Sequence, residues 1–502
     1  MPRALALVLT AAWTMAAAGG GCARRGQIVL NSGDLAEASS APRVESMVEL
    51  GGGDVVLTAD LPASAPGDGA ATVGEALWVQ GANFGRRPTV SVAGHPGVVL
   101  ARTADGGLVT RVPPGTPAGR QALKVTNDHG SGELPLTVRR LVAAIPAGGG
   151  HLALASLDPG ADGPRAAGSV PAAGPLLQVG ADGRAAYLLD AASGHLSVFE
   201  LPAQAQPRPV AARGPEAKAA AHAVLGFAAA AHAPTLMIAR AEDLLILDTT
   251  TPLRPVRARP RVWPAEVAKA GMVRAALSPD GRGVAVGTED NRLVLLDVGT
   301  PGAVAVRAAL DVAPGARVPI IADVAFAPDG RTVWLALGDT TKSLAVGPQP
   351  TEIVAVRVTP GASPQLAVAR RVTVTEAARP KRLSAGRARP LQSGASIRLP
   401  PERATVYLTA VRQGAGAAVF RLGAEDQATV ALEAPPGAQL GGAELTPDGA
   451  WLLAPMTSAR GALSLMTVAA DGRTATPVPV SVDLGVTGSP AGKDLPSLAI
   501  QP

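Results

Sequence analysis

Residue types able to carry chemistry are sparse in this chain, and most of them are poorly placed for it. Six histidines, His95, His129, His151, His195, His222 and His232, are scattered without a His-Glu-x-x-His pair and without cysteine partners. Asp158-x-x-x-Asp162-Gly163 has the opening spacing of a calcium loop, but Gly160 and Ser169 stand where further oxygen ligands belong. Gly488-x-x-x-Gly492-Lys493 falls one residue short of a phosphate loop, since Thr487 occupies the first Gly position and Asp494 follows the lysine. No Gly-x-Ser-x-Gly nucleophile elbow is present. The recurring aspartates Asp280, Asp329 and Asp448 each sit between Pro and Gly, which makes them turn formers rather than acids or bases. This inventory predicts no catalytic residue, no metal and no cofactor.

Two features are better placed. Cys22 is the sole cysteine, so no intramolecular disulfide can form. It follows Arg3, an apolar run from Ala4 to Ala18 too short to span a bilayer, and the small residues Gly19, Gly20 and Gly21, an order that reads as an export signal over residues 1–21. A lone cysteine behind small residues resembles the lipobox of bacterial lipoproteins, with Gly19 standing where that family usually carries a larger apolar residue. The resemblance implies acylation of Cys22 and anchoring at the cell envelope, as an outer-membrane lipoprotein, without a transmembrane helix. The second feature is a crowd of cations: Arg370, Arg371, Arg379, Lys381, Arg382, Arg387 and Arg389. Of these, Arg379, Lys381, Arg382, Arg387 and Arg389 are expected to contact an acidic protein, an anionic lipid or a polysaccharide from a long loop.

The elements that must position these groups follow from composition and pattern. With 502 residues the chain is long enough for two or more domains. It is 47% hydrophobic but only 2% aromatic, so its interior is built from Ala, Val and Leu. Gly (58) and Pro (46) make up about a fifth of the residues, as frequent turns between short strands require. The net charge of +5, from 45 basic and 40 acidic groups, is a small excess on a long chain, and there are too few stacking aromatics for a nucleic-acid protein.

Residues 22–53 carry no sustained apolar period beyond Ile28-Val29-Leu30 and read as the lipidated cysteine followed by a tether. From Asp54 short apolar alternations separated by Gly, Pro, Asn and Asp predict an all-β region over residues 54–140. Gly74-x-x-Leu77-x-Val79-x-Gly81-x-Asn83-Phe84-Gly85, Val90-x-Val92-x-Gly94, Val112-Pro113 with Gly119, and Leu123-x-Val125-x-Asn127 with Gly130 together resemble the IPT/TIG family. The resemblance implies an immunoglobulin-like β-sandwich acting as a spacer or contact module. Gly81 and Gly85 are expected to form a tight turn, with Phe84 plugging one end of the sandwich.

Residues 141–502 carry a repeat. Ala276-Leu277-Ser278-Pro279-Asp280-Gly281-Arg282, Ala325-Phe326-Ala327-Pro328-Asp329-Gly330-Arg331 and Glu444-Leu445-Thr446-Pro447-Asp448-Gly449-Ala450 each predict strand, turn, strand, with Pro entering the turn and Gly leaving it. Weaker copies lie at Asp182, Pro234 and Glu402, giving intervals of 52, 46, 49, 73 and 46 residues that suit four-stranded blades in all but one case. Asp243-Leu244-Leu245-Ile246-Leu247-Asp248 and Arg292-Leu293-Val294-Leu295-Leu296-Asp297 read as third strands. The pattern resembles YVTN-type repeats, relatives in architecture of the tryptophan-aspartate propellers, and predicts about seven blades, with six as the alternative count. The last residues, from Leu495 to Pro502, are expected to complete the first blade beside His151-Leu152-Ala153-Leu154-Ala155-Ser156-Leu157 and so close the ring.

The expected protein is therefore all-β: an immunoglobulin-like sandwich followed by a propeller, exported and held at the envelope. It is expected to be a non-enzymatic scaffold that binds an unidentified protein or polysaccharide partner and no nucleic acid. The alternative is a propeller hydrolase of lactonase type.

Overall fold

A strand covered on both faces favours apolar residues, since a buried polar group is costly unless bonded, and Thr332–Gly338 is buried along its whole length, with the Thr332 hydroxyl donating to Asp329 Oδ2 at 3.1 Å. Strands of this kind recur through the computed structural model, which describes residues 28–29, 38–50, 69–103, 106–113, 115–139, 142–147, 150–156, 165–172, 176–180, 183–190, 194–201, 208–210, 224–231, 233–251, 253, 255–257, 260–300, 302–314, 320–338, 351–359, 361, 364–386, 405–412, 416–422, 427–446, 451–469, 480–487 and 499–500. Seven antiparallel sheets of four or five strands follow the first 138 residues, and they form a β-propeller. The inner strands of blades two to six are Leu176–Val179, Val224–Ala229, Met272–Leu277, Ile320–Phe326 and Ala377–Gly386; that of blade seven is broken into Gln439–Leu440 and Glu444–Leu445.

The packing explains the aromatic-poor composition. Each pair of neighbouring blades shares one apolar cluster, seven among the described residues. Successive side chains of a strand point to opposite faces. In blade five, Val333, Leu335 and Leu337 accordingly pack towards blade four while Trp334 and Ala336 pack towards blade six. Small and branched residues fill such thin, two-sided interfaces, and the aromatics Tyr187, Phe199, Trp334 and Phe420 are buried there.

The turns behave as their chemistry predicts. Gly281, Gly330 and Gly183 adopt φ of 71°, 63° and 65°. Their N–H groups donate to Ser278 O, Ala327 O and Gly180 O at 2.9, 3.0 and 2.9 Å. Asp280 Oδ1 accepts from the Arg282 N–H at 3.1 Å, and Asp329 Oδ1 from those of Arg331 and Thr332 at 2.8 and 2.9 Å. These carboxylates are spent on their own turns. The weak copy at Pro234 keeps the flanking bond from Ala230 N to Thr235 O, 2.9 Å. Asp182, Glu402 and Asp448 lie outside the described residues.

Ring closure is made by the C-terminal strand Ala499–Ile500, as expected, although its neighbour differs. Ile500 pairs with Ala143 and Ala499 with Ala144, so Val142–Ala147 is the second strand of blade one and His151–Ser156 the third. Val142–Ala147 is disguised in the sequence by Pro146, which cannot donate to a ladder. Blade seven packs Leu453, Leu463 and Leu465 against Ala143, Ile145, Ala153 and Ala155 of blade one.

Two five-stranded sheets over residues 28–138 form the sandwich, around Leu77, Val79, Phe84, Val92, Leu108, Leu123 and Leu136. Phe84 is buried in this core. Gly85 has φ 71°, but Gly81 serves differently from its expected turn role: it lies within Ala76–Ala82, where a Cβ would come 2.0 Å from Arg43 O. The strand making that close approach, Arg43–Glu49, falls in the stretch expected to be tether; it pairs with Ala76–Ala82, and Val44 and Met47 pack on the core.

At one end of the sandwich, Glu49, Glu75 and Arg139 are all buried. Glu75 Oε2 accepts the Thr72 N–H at 2.8 Å and Glu49 Oε1 accepts the Gly69 N–H at 3.1 Å. Burial pushes the Glu75 carboxyl from 4.5 up to about 8; the Glu49 charge adds to this, while the Thr72 bonds and the Arg139 charge oppose it.

Two outcomes follow from this architecture. Deleting residues 495–502 removes the strand that seals blade one, and the thermal midpoint should fall by on the order of 10 °C; an unchanged midpoint would show that the ring does not need it. Because Glu75 binds its proton more tightly when folded, stability should decline as pH rises from about 4.5 to about 8, and Glu75→Gln should flatten that decline in denaturant titrations.

Candidate functional site

The inner strands of blades three to six carry a bulge near their start, between Val224 and Gly226, Met272 and Arg274, and Ile321 and Asp323; blade six has two, between Ala378 and Pro380 and between Pro380 and Arg382. A bulge re-aims the side chain that follows it. Those following residues share one register, for Gly226 pairs with Ala239, Arg274 with Gly287, Asp323 with Ala336 and Arg382 with Thr409. Blades four, five and six thus present Arg, Asp and Arg at one level of the propeller, where blade three has glycine.

At three of these positions, 226, 323 and 382, the neighbour is the following blade. A Cβ on Gly226 would come 2.3 Å from Ala275 O of blade four. Asp323 Oδ2 accepts the Leu383 N–H of blade six at 2.7 Å. Arg382 lies against blade seven, where a Cβ on Gly442 would come 2.9 Å from its Cγ. Glycine at 442 makes room for the arginine.

The electrostatics are uneven. Asp323 is only 7% exposed, whereas Arg274 and Arg382 are exposed. Burial raises the Asp323 carboxyl above the usual range, against the opposing pull of the Arg382 charge, the Leu383 N–H, the Arg274 charge and the Val324 N–H. Arg274 Nη1 donates to Val273 O at 3.1 Å, and among the described residues neither guanidinium enters a salt bridge. Two cations thus flank one buried carboxylate already engaged by a backbone N–H. Such an arrangement can hold an oxyanion at the exposed guanidiniums.

The basic stretch is distributed differently from the loop expected of it. Arg370 and Arg371 belong to the outer strand of blade five, Gln365–Val374, and Arg379, Lys381 and Arg382 to the inner strand of blade six, Ala377–Gly386. Bulges absorb the extra residues around Pro380, so a run that looks unfit for a ladder still pairs with Thr405–Arg412. Arg371 bonds Glu352 at 2.5 Å and donates to Val312 O at 2.6 Å, tying blade five to blade four. Arg387, Arg389 and Cys22 lie outside the described residues, as do His222, His232, Asp158, Asp162 and Gly488 to Lys493. His95, His129, His151 and His195 are dispersed over the sandwich and two blades, and among the described residues no group of three or more His, Cys, Asp or Glu is placed to hold a metal. Nor, among them, is any helix long and apolar enough to cross a membrane.

Arg274 and Asp323 were not singled out by motif. Their signal is a charge inside an apolar strand, six residues before the Asp of a Pro-Asp-Gly turn in each case, Asp280 and Asp329.

No family model matches the chain, and no curated protein matches it in sequence. Among solved structures it is similar to the Cps50 (Swd1) β-propeller domain of Myceliophteria thermophila, at 15% identity over 63% of this chain and 92% of that one, with a TM-score of 0.38. It is also similar to an auxiliary nutrient binding protein of Bacteroides thetaiotaomicron, at 10% identity over 83% and 95% with a TM-score of 0.36. A third similarity is to the periplasmic gluconolactonase PpgL of Pseudomonas aeruginosa, at 14% identity over 64% and 92% with a TM-score of 0.40. Likeness at this level of identity concerns architecture alone.

The buried carboxylate lends itself to a paired test. Asp323→Ala leaves the Leu383 N–H without its acceptor and should cost about 1–3 kcal/mol in denaturant unfolding. Asp323→Asn keeps an acceptor and should cost less; equal losses would show that the bond to Leu383 does not hold blades five and six together.

Proposed function

We propose that this protein is an exported, envelope-anchored binding scaffold without catalytic activity, whose propeller engages a protein or polymer partner. Cys22 is the lipid attachment point, and the sandwich, which resembles IPT/TIG domains, spaces the propeller from the membrane. The observation that carries the reading is the concentration of charge at one level of the inner strands, with the exposed guanidiniums of Arg274 and Arg382 on either side of blade five. A closed seven-bladed ring holds those groups on inner strands paired into their ladders, so they are presented rigidly rather than on a loop.

The test is capture from an envelope extract with the chain beginning after Cys22, alongside a panel of lactone and ester substrates. Saturable capture of a partner, with no turnover, is the expected result. Turnover by the purified chain alone would favour a hydrolase of lactonase type instead. In cells, Cys22→Ala should abolish incorporation of labelled palmitate and release the protein from the membrane fraction; unchanged fractionation would remove the anchor.

A further inference from the structure

We infer that Arg274 and Arg382 form an oxyanion-binding site on the inner strands, taking a carboxylate or phosphate group of the bound partner, with Asp323 as a positioning residue between them. The inference rests on the binding reading above and gives it a ligand chemistry.

Three observations converge on it. The first is register: inner strands separated by whole blades place Arg274, Asp323 and Arg382 at one level, so the charges form a group that no local stretch of chain creates. Second, the charge balance is incomplete. Two guanidiniums face one carboxylate, that carboxylate is buried and accepts the Leu383 N–H, and neither arginine forms a salt bridge among the described residues. Exposed guanidiniums with spare forked donors match the planar oxygens of carboxylate and phosphate. Third, the site has space reserved for it. Gly442 lies close enough to Arg382 Cγ that any side chain there would displace the arginine, and no left-handed backbone angle requires glycine at that position.

Other candidates carry less. Glu49, Glu75 and Arg139 are buried, and the two carboxylates already accept the Gly69 and Thr72 N–H groups. Arg261 turns Nη1 to three carbonyls, Val298 O, Thr300 O and Ala303 O, at 2.6, 3.2 and 3.0 Å, which fixes it as a clamp on its own chain. Arg371 is likewise engaged by Glu352 and Val312 O.

The experiment is calorimetric titration of the full chain, purified in detergent, with inorganic phosphate and separately with citrate at low ionic strength. Saturable binding of at least one anion is expected, and which of the two binds identifies the oxyanion. Arg274→Ser and Arg382→Ser should each weaken it by about tenfold, and the double variant should abolish it. Gly442→Ala should weaken it while leaving every charge in place, a result that a merely diffuse positive surface would not give. Arg371→Ser, which removes an arginine paired elsewhere, should bind as the parent does. Thermal melts of all variants establish that they are folded. Absence of saturable binding by the parent, or undiminished binding by the folded double variant, overturns the site. Wild-type partner capture by a double variant that has lost anion binding would separate the two readings, leaving the scaffold intact and placing the partner elsewhere. Anion binding without any captured partner would do the reverse.

Discussion

The propeller depends on apolar contact between neighbouring blades. No blade encloses a core of its own: its middle strands are buried on both faces only because another sheet lies on each side. Stability is therefore a property of consecutive pairs of blades, and an open arc would leave two apolar faces and two strand edges exposed to water. The pairing of Ala499–Ile500 with Val142–Ala147 and the packing of Leu453, Leu463 and Leu465 on blade one remove that exposure together. Composition follows from the same constraint. Thin interfaces between twisted sheets suit Ala, Val and Leu, and near the inner strands even Ala is too large at some positions, as the backbone approach of Ala275 O to Gly226 shows.

Charge is confined by this packing. A polar side chain inside a blade interface must find a partner or lose its hydration without return. Asp323 meets that condition by accepting the Leu383 N–H across a blade boundary, which makes it both a link between inner strands and a fixed polar point between two arginines. The bulges at the start of the inner strands make this geometry available, since they turn the following residue out of the regular alternation. The same device lets Pro380 sit in an inner strand that its missing N–H would otherwise disrupt.

The sandwich solves its own problem by a different route. Close approach of Arg43–Glu49 to Ala76–Ala82 is possible because Gly81 has no side chain to obstruct Arg43 O, and the chain before the first evident sandwich strand is thereby drawn into the sheet. Burial of Glu49, Glu75 and Arg139 places acidic and basic groups where desolvation is costly, and Glu75 answers by holding its proton to about pH 8. Arg139 is also bound through its backbone, its N–H donating to Ala71 O at 2.7 Å. The last strand of the sandwich and the buried ionisable group are thus fastened at the same point.

The amino-acid sequence by itself determined the all-β class, the Pro-Asp-Gly corners at Asp280 and Asp329, and the third strands Asp243–Asp248 and Arg292–Asp297, because each is set by interactions within a few residues, while it left six or seven blades open. A turn closed by Gly281 N–H on Ser278 O needs nothing beyond its own tetrapeptide. What only the tertiary structure decided were the strands whose local signals conflict with their surroundings. Val142–Ala147 contains a proline, Arg43–Glu49 alternates weakly, and the cations from Arg379 to Arg382 look like a solvated loop but belong to an inner strand. The candidate site was illegible for a related reason. Arg274, Asp323 and Arg382 lie about fifty residues apart in the chain, and their common level is fixed by ladder register and blade stacking, long-range pairings that no short-range pattern encodes.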